Sequence, residues 1–448
     1  MPTISEKDRI ITRLTLLDRQ PLFRSLDEDT RRFIQSLAKE YHLTFQQLQQ
    51  VTEIAIDLVM WMEKPLPQRW QELKERVTST NSRRGQLLFD YLYQQWLSLK
   101  NQQTVYQGAT KLTSWDWKKR ITRHEDNNTV LGMCPVASEK TVCCNLQTLD
   151  VIQGCGLGCS YCSIQTFYGT GNISIDTNLS AKLQNIRLNP TRKYHICSGQ
   201  SSDSLLLENR AHILDAQLAF ARRNPNIFLE FKTKSKNVNH LLSSSVPPNV
   251  FISWSLNPQT IIDNEEHYTA SLVERLMAAR RVANEGISVG FHFHPMIYYR
   301  GWQKDYEDLI QQVITLFSPA EVALVSFGTL TFIKPVIKSL RIKRIPSKVL
   351  QMPMEDTAGK LSYPQKIKEE LFRTAWQAFT PWHESVFFYL CMENKTLWES
   401  VFGYCFDSNT TFEKALLTAL TRKVKTSGTE ESLLPVKPPD AAPDPNPS

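Results

Sequence analysis

The densest chemistry in the chain lies in the run GCGLGCSYC, which sets Cys155, Cys159 and Cys162 at Cys-x3-Cys-x2-Cys spacing among Gly154, Gly156 and Gly158. Glycine tolerates backbone angles that other residues resist, so this loop can wrap three thiolates around one metal centre. A structural zinc site takes four protein ligands and an ordinary iron-sulfur cluster takes four cysteines, whereas the local motif supplies three. A cluster with three protein thiolates leaves one iron open to a small ligand, by the logic that leaves a catalytic zinc one position open. The competing reading is a four-thiolate zinc knob completed by Cys143, Cys144 or Cys197. Nine cysteines in 448 residues with no export signal do not make a disulfide framework.

A ligand loop of this kind must be carried by rigid elements. Between Leu146 and Leu330 short apolar, β-branched runs recur: LQTLDVIQG, KYHICSGQ, IFLEFKTK, VFISWSLN, ISVGFHFHPMI and EVALVSFG. Helix-length sequence separates most of them, which implies right-handed βα units around a parallel sheet. The expected fold class is α/β, a partly closed barrel of six βα units, with a doubly wound sheet as the rival. In both folds, polar residues at the C-terminal ends of the strands line the site. Those ends carry Cys155, Ser202 with Asp203, Lys234, Ser255 with Asn257, and His292 with His294. The two histidines alternate on one strand and point the same way, as a polar lining or as ligands of a second metal.

The rest of the chain reads as accessory. Residues 1–105 repeat apolar positions at helical spacing, with Phe33, Leu37 and Tyr41 on one face and Ile56, Met60 and Trp61 on the next helix, so four or five helices are expected. Pro65 and Pro67 break one connection. Residues 106–145 form a linker in which Trp115 to Arg123 interleaves aromatics with cations, a composition suited to stacking on bases and pairing with phosphates, or to a solvated surface. The barrel is expected over 146–335 and a mixed region over 336–426. That region has a basic start, KSLRIKRIPSK, a helix around Gln365 to Phe379 and an aromatic-rich stretch. Residues 427–448 are rich in Pro, Ser, Glu and Asp and read as a disordered tail. A net charge of +7 is compatible with an anionic partner. No apolar run approaches the roughly 18 residues of a membrane span, so a cytoplasmic protein without a membrane partner is expected.

The cysteine spacing after a first barrel strand resembles the radical S-adenosylmethionine superfamily. A closer resemblance runs through GCGLGCSYCSIQTFYG, SSDSL from Ser201, KTKSKNVNHLL from Lys232 and SLNP from Ser255. It continues in ERLMAARRVANEGISVGFHFHPMI from Glu274, GWQKDYEDLI from Gly301 and FIKPVIK from Phe332. In that order these runs are similar to motifs of the spore photoproduct lyase family. The resemblance implies a partial (β/α)6 barrel of radical S-adenosylmethionine type. It implies a 4Fe-4S cluster on Cys155, Cys159 and Cys162 whose open iron is chelated by S-adenosylmethionine. It assigns Ser202, Asp203, Lys234 and Ser255 to S-adenosylmethionine. Reductive cleavage would give a 5'-deoxyadenosyl radical that abstracts hydrogen from substrate, with electrons from a reductase or a ferredoxin- or flavodoxin-type donor.

In true lyases of the family the radical reverses a methylene-bridged thymine dimer in DNA, and a cysteine returns hydrogen through nearby tyrosines. Tyr161 matches one family tyrosine. The donor cysteine falls at Gln200, with Cys197 the nearest thiol, and the second tyrosine falls at Ser163. The expected function is therefore a radical enzyme acting on a DNA photoproduct, with Cys197 and Tyr161 as candidate catalytic residues. The alternatives are the same chemistry on RNA, a peptide or a metabolite, or a non-enzymatic zinc or iron-sulfur protein.

Overall fold

A computed structural model describes residues 6–77, 83–110, 121–125, 128–134, 140–163, 172–357 and 359–426. The chain divides into two compact units, 111–330 with 363–448, and 1–110 with 331–362. The Trp115 to Arg120 stretch and the 427–448 tail lie outside the described residues.

The larger unit is organised by one eight-stranded sheet. Its strands are β1 (Leu131–Met133), β2 (Gln147–Leu149), β3 (Tyr194–Ser198), β4 (Ile227–Thr233), β5 (Val250–Ser255), β6 (Val289–Met296), β7 (Val322–Thr329) and β8 (Phe387–Leu390). They lie side by side in chain order. β1 runs antiparallel to β2, and β2 through β8 are parallel. Parallel strands need crossovers, and helices Ile213–Arg223, Leu272–Asn284, Trp302–Leu316 and Gln365–Ala378 supply them after β3, β5, β6 and β7. A capping box between Ser271 and Glu274 starts the second of these. Every residue of β3, β5 and β7 is buried, as expected of parallel strands covered on both faces.

The sheet curls into the partial barrel. The six runs read as strands are β2 to β7, and the structure adds a seventh parallel strand, β8, drawn from the aromatic-rich stretch. One backbone bridge, Val142 with Glu393, ties the chain leading into β2 to the chain just past β8. A small sheet pairs Ile121–His124 and Ile152–Gln153 with the two sides of Ile173–Asp176.

The smaller unit contains, among the described residues before 110, helices Glu6–Asp18, Pro21–Arg24, Glu28–Glu40, Phe45–Met60, Leu66–Arg76 and Arg84–Asn101. The four-residue second helix makes the count six where four or five were expected. Ile56, Met60 and Trp61 are buried together, and Pro65 stands at the cap of Leu66–Arg76. The face of Glu28–Glu40 that is buried is Ile34, Leu37 and Ala38, while Phe33 and Tyr41 stay at its margin.

The basic run after β7 is not all surface. Arg341, on helix Lys334–Lys343, points its guanidinium at Asp57, with bonds of 2.8 and 2.9 Å, and at Glu53, 2.6 Å away. Asp57 is fully buried and also accepts Trp96 Nε1 at 3.1 Å. Arg341→Met strands that carboxylate, and removing one partner of a buried pair costs about 3–5 kcal/mol. Chemical denaturation followed by tryptophan fluorescence will show the loss, and the double variant Arg341→Met with Asp57→Leu will recover most of it.

No helix among the described residues is long and apolar enough to cross a membrane.

Candidate active site

The cysteine loop leaves β2 and is pinned to its neighbours by backbone. Gly154 N–H donates to Ser201 O at 3.1 Å, and Ser201 Oγ donates to Ile152 O at 2.7 Å, so the loop is laced to the turn after β3. On its other side Cys159 bridges Glu266, Ser160 N–H donates to Glu265 O at 2.8 Å, and Tyr268 N–H donates to Leu157 O at 3.1 Å. The glycines are needed for this fit. Gly154 and Gly158 have φ of +82° and +63°, and a Cβ on Gly158 would stand 2.7 Å from the Tyr268 ring. Gly158→Ala therefore has to distort the loop beside Cys159. Its expected outcome is a fold retained by circular dichroism with a marked fall in iron bound per chain after reconstitution.

Glu266 ties the loop to the barrel, a role its sequence did not announce. It is fully buried at the end of helix Gln259–Glu265 and accepts from Tyr161 Oη, Arg275 Nη2, Asn257 Nδ2 at 2.9 Å and Lys234 Nζ at 3.2 Å. Burial would push the carboxyl up, but Arg275 first and Lys234 next outweigh it and hold Glu266 well below the usual carboxylate range. Arg275, also fully buried, spends its remaining donors on Thr269 Oγ1 at 2.6 Å, Ser255 O at 2.9 Å and Ala270 O at 2.9 Å. Lys234 stands over the Tyr161 ring, 5.7 Å from its centroid. Tyr161, Lys234 and the backbone of Ser255 thus meet at one carboxylate and its guanidinium.

The turn after β3 is the second wall. Asp203 accepts from Lys234 N–H at 2.6 Å, Thr233 Oγ1 at 2.8 Å and Leu205 N–H at 3.0 Å, so it binds β4's end to the turn. Its burial raises the pKa, opposed by those same donors. Ser202 Oγ is buried with no hydrogen-bond partner among the described residues. An orphaned hydroxyl beside a cysteine loop is a place where a small polar ligand is missing its contact.

Deeper in the barrel a polar chain crosses the lumen. Glu230, on β4, lies 2.8 Å from His195 Nε2 and 2.5 Å from His292 Nε2, and accepts from Ser253 Oγ. His292 Nδ1 is 2.5 Å from Ser326 Oγ, which reaches His294 Nε2 at 3.0 Å. Burial holds His292 down at about 4, with Lys232 adding to it and Glu230 opposing. These histidines are a lumen lining. Cys197 lies in the same layer, 1% exposed, opposite Glu230 across the β3–β4 pair.

Do these residues fit an iron-sulfur cluster with S-adenosylmethionine? Burial raises the thiols of Cys155 and Cys159; Asp203 and Cys162 then add to Cys155, and Glu266 to Cys159. Thiols so placed ionise when a metal supplies positive charge, which is how coordinated thiols behave. Among the described residues no three donors already stand as a closed metal cage. The fit rests on the soft donor set, the glycine-shaped loop and the orphaned Ser202 hydroxyl. On those grounds Cys155, Cys159 and Cys162 suit the cluster, and Ser202 suits its small-molecule ligand.

Comparisons with known proteins bear on the family and the fold. The family model of spore photoproduct lyase matches residues 139–368, just over half of the chain. The spore photoproduct lyase of Clostridium acetobutylicum is 26% identical over 224 residues, covering 48% of this chain and 65% of its own. That of Bacillus subtilis is 26% identical over 167 residues, 36% of this chain and 48% of its own. The chain thus spans less than two thirds of the length of these curated relatives. Among solved structures, a spore photoproduct lyase complexed with dinucleoside spore photoproduct superposes with a TM-score of 0.52 at 21% identity, over 67% of this chain and 94% of the other. A mutant of that enzyme with bound AdoMet and dinucleoside spore photoproduct gives the same values. At that identity the likeness is one of fold.

Proposed function

Because the chain belongs to the spore photoproduct lyase family, we propose that it is a radical S-adenosylmethionine enzyme that removes hydrogen from a nucleic-acid photoproduct. The observation that carries the reading is the convergence, on the C-terminal edge of one sheet, of the three-cysteine loop, the orphaned Ser202 hydroxyl and the Glu266 hub. A 4Fe-4S cluster and S-adenosylmethionine, when bound, supply an adenosyl radical there.

The chain's own residues do the rest. Cys155, Cys159 and Cys162 hold iron. Ser202 offers its free hydroxyl, and Lys234 offers an ammonium to the carboxylate of the small ligand while remaining anchored on Glu266. Asp203 fixes the turn that presents Ser202, and Ser255 receives Arg275 on its carbonyl. The Glu266 carboxylate holds the Tyr161 hydroxyl beside the cluster loop. A damaged base inside a duplex must be extruded at a cost of a few kcal/mol to reach such a site. A reducing cytosolic setting, in which cysteines stay as thiols, belongs to this reading. A one-electron donor of ferredoxin or flavodoxin type belongs to the same reading.

Gln200 and Ser163 favour a second reading, in which the same radical chemistry serves RNA, a peptide or a metabolite. Binding decides first. A salt-dependent affinity for photoproduct-bearing oligonucleotide above that for undamaged DNA supports the photoproduct substrate, and equal weak binding to both removes it.

A further inference from the structure

Lys232 carries a charge into the barrel lumen. It is the only residue of β4 that is not buried, and it follows Glu230 by two positions, so strand alternation puts both on the lumen face. Its neighbour across the β4–β5 pair is Ser253, whose hydroxyl donates to Glu230 in the lumen. The ammonium is felt by groups on β3, on β6 and just past β8. Burial first and Lys232 next hold His292 and His294 below the usual histidine range, and Lys232 opposes the burial that raises the thiols of Cys197 and Cys391.

The backbone of Lys232 belongs to the turn that presents Ser202. Its N–H donates to Ser204 Oγ and its carbonyl accepts from Ser204 N–H, both at 3.1 Å. Gly199, with φ of +95°, permits that approach, since a Cβ there would stand 2.6 Å from Ser204 Oγ and 2.8 Å from Lys232 O. The Lys232 ammonium makes no hydrogen bond or ion pair among the described residues, and the side chain is half-buried. The carboxylates of this region are already engaged: Glu230 with His195, His292 and Ser253, Asp203 with Thr233 and two backbone N–H groups, Glu266 with Arg275 and Lys234, and Glu393 with Lys368 at 2.9 Å. A charge drawn partly out of water is ordinarily paired, so an ammonium placed in this way suits an anionic group of a ligand. Lys234, two residues on and roughly 7 Å farther along the same face, is by contrast anchored on Glu266 beside the cluster loop.

We propose that Lys232 is a specificity-determining residue of the lumen, receiving on its ammonium the phosphodiester that links the two nucleosides of the photoproduct. The inference rests on the photoproduct reading above and deepens it. The lumen histidines stay uncharged at neutral pH, so the attraction for a phosphate falls to Lys232.

Binding to the reconstituted, unreduced holoenzyme tests this with spore photoproduct in two forms, the dinucleotide that carries the phosphodiester and the dinucleoside that lacks it. The parent is expected to bind the dinucleotide at least about tenfold more tightly, the worth of one charge-assisted hydrogen bond. Lys232→Met should bring the dinucleotide down to the dinucleoside's affinity while S-adenosylmethionine binds as before, and Lys232→Arg should keep most of the preference. A parent that binds the two forms alike overturns the proposal, as does a Lys232→Met variant that keeps the parent's preference. Weaker binding of S-adenosylmethionine in Lys232→Met, with the preference between photoproducts intact, gives the residue to that ligand and overturns the proposal too. A parent that prefers the dinucleotide yet forms no 5'-deoxyadenosine on reduction contradicts the radical reading and supports Lys232 as the phosphate contact. One that binds neither form contradicts the photoproduct reading and this proposal together.

Discussion

Replacing Cys155, Cys159 and Cys162 together by Ala should leave a folded, colourless protein that binds no iron and forms no 5'-deoxyadenosine. The three thiols sit on a loop held by backbone bonds to the turn after β3 and to Glu265 and Glu266, so their loss removes donors without removing the frame. Each single substitution should act nearly as strongly, because three ligands already leave one iron open and two cannot keep a four-iron cluster. Iron and sulfide analysis after anaerobic reconstitution, with absorption in the thiolate-to-iron region, provides the readout. A colourless parent chain holding one zinc ion would contradict the assignment and return the loop to a structural role.

The second large effect concerns Arg275. Arg275→Met leaves the Glu266 carboxylate fully buried with its chief cation gone, a change that costs about 3–5 kcal/mol. The midpoint of chemical denaturation should fall accordingly, and the double variant Arg275→Met with Glu266→Gln should recover part of it. Activity should fall in the single variant as well, because Glu266 also holds Tyr161 and Lys234. The pH dependence has a definite direction. Glu266 has a folded pKa below its unfolded value of about 4.3, so the native state binds fewer protons there than the unfolded state does. Its contribution is complete above that unfolded value and is lost as pH falls through the depressed folded one. Acid unfolding of the parent should therefore steepen below about pH 4, and Glu266→Gln should flatten that limb.

Much of this is readable from the sequence, and the failures have physical causes. The cysteine loop declares itself because three thiols and three glycines in so short a run have few other uses. The strands β2 to β7 are visible as β-branched runs of the length that a buried parallel strand requires. β8 is hidden because FFYL lies in a stretch uniformly rich in aromatics, where no period separates a strand from a helix. Glu266 is hidden for a different reason. In NEEHYT it looks like one of two ordinary acids at a helix end, and only tertiary packing brings Arg275 and Lys234 to it. Arg341 stands in a run of cations that reads as solvated, and only the fold brings it to Asp57, far away in sequence. The alternation of Glu230, Lys232 and Lys234 along β4 and its end is the available signal that the lumen is polar. Asp203, in sequence, has the form of a helix cap. It instead accepts from β4's end, and the next α-helix begins only at Ile213.

The central claim is that this site makes an adenosyl radical and turns it on a nucleic-acid photoproduct. The most direct measurement is anaerobic reconstitution with iron and sulfide, reduction, and chromatography for 5'-deoxyadenosine and repaired dinucleotide, with and without dinucleoside spore photoproduct. The account predicts both products, formed together and lost together in the three-cysteine variant. A fully loaded cluster that leaves S-adenosylmethionine intact would contradict it.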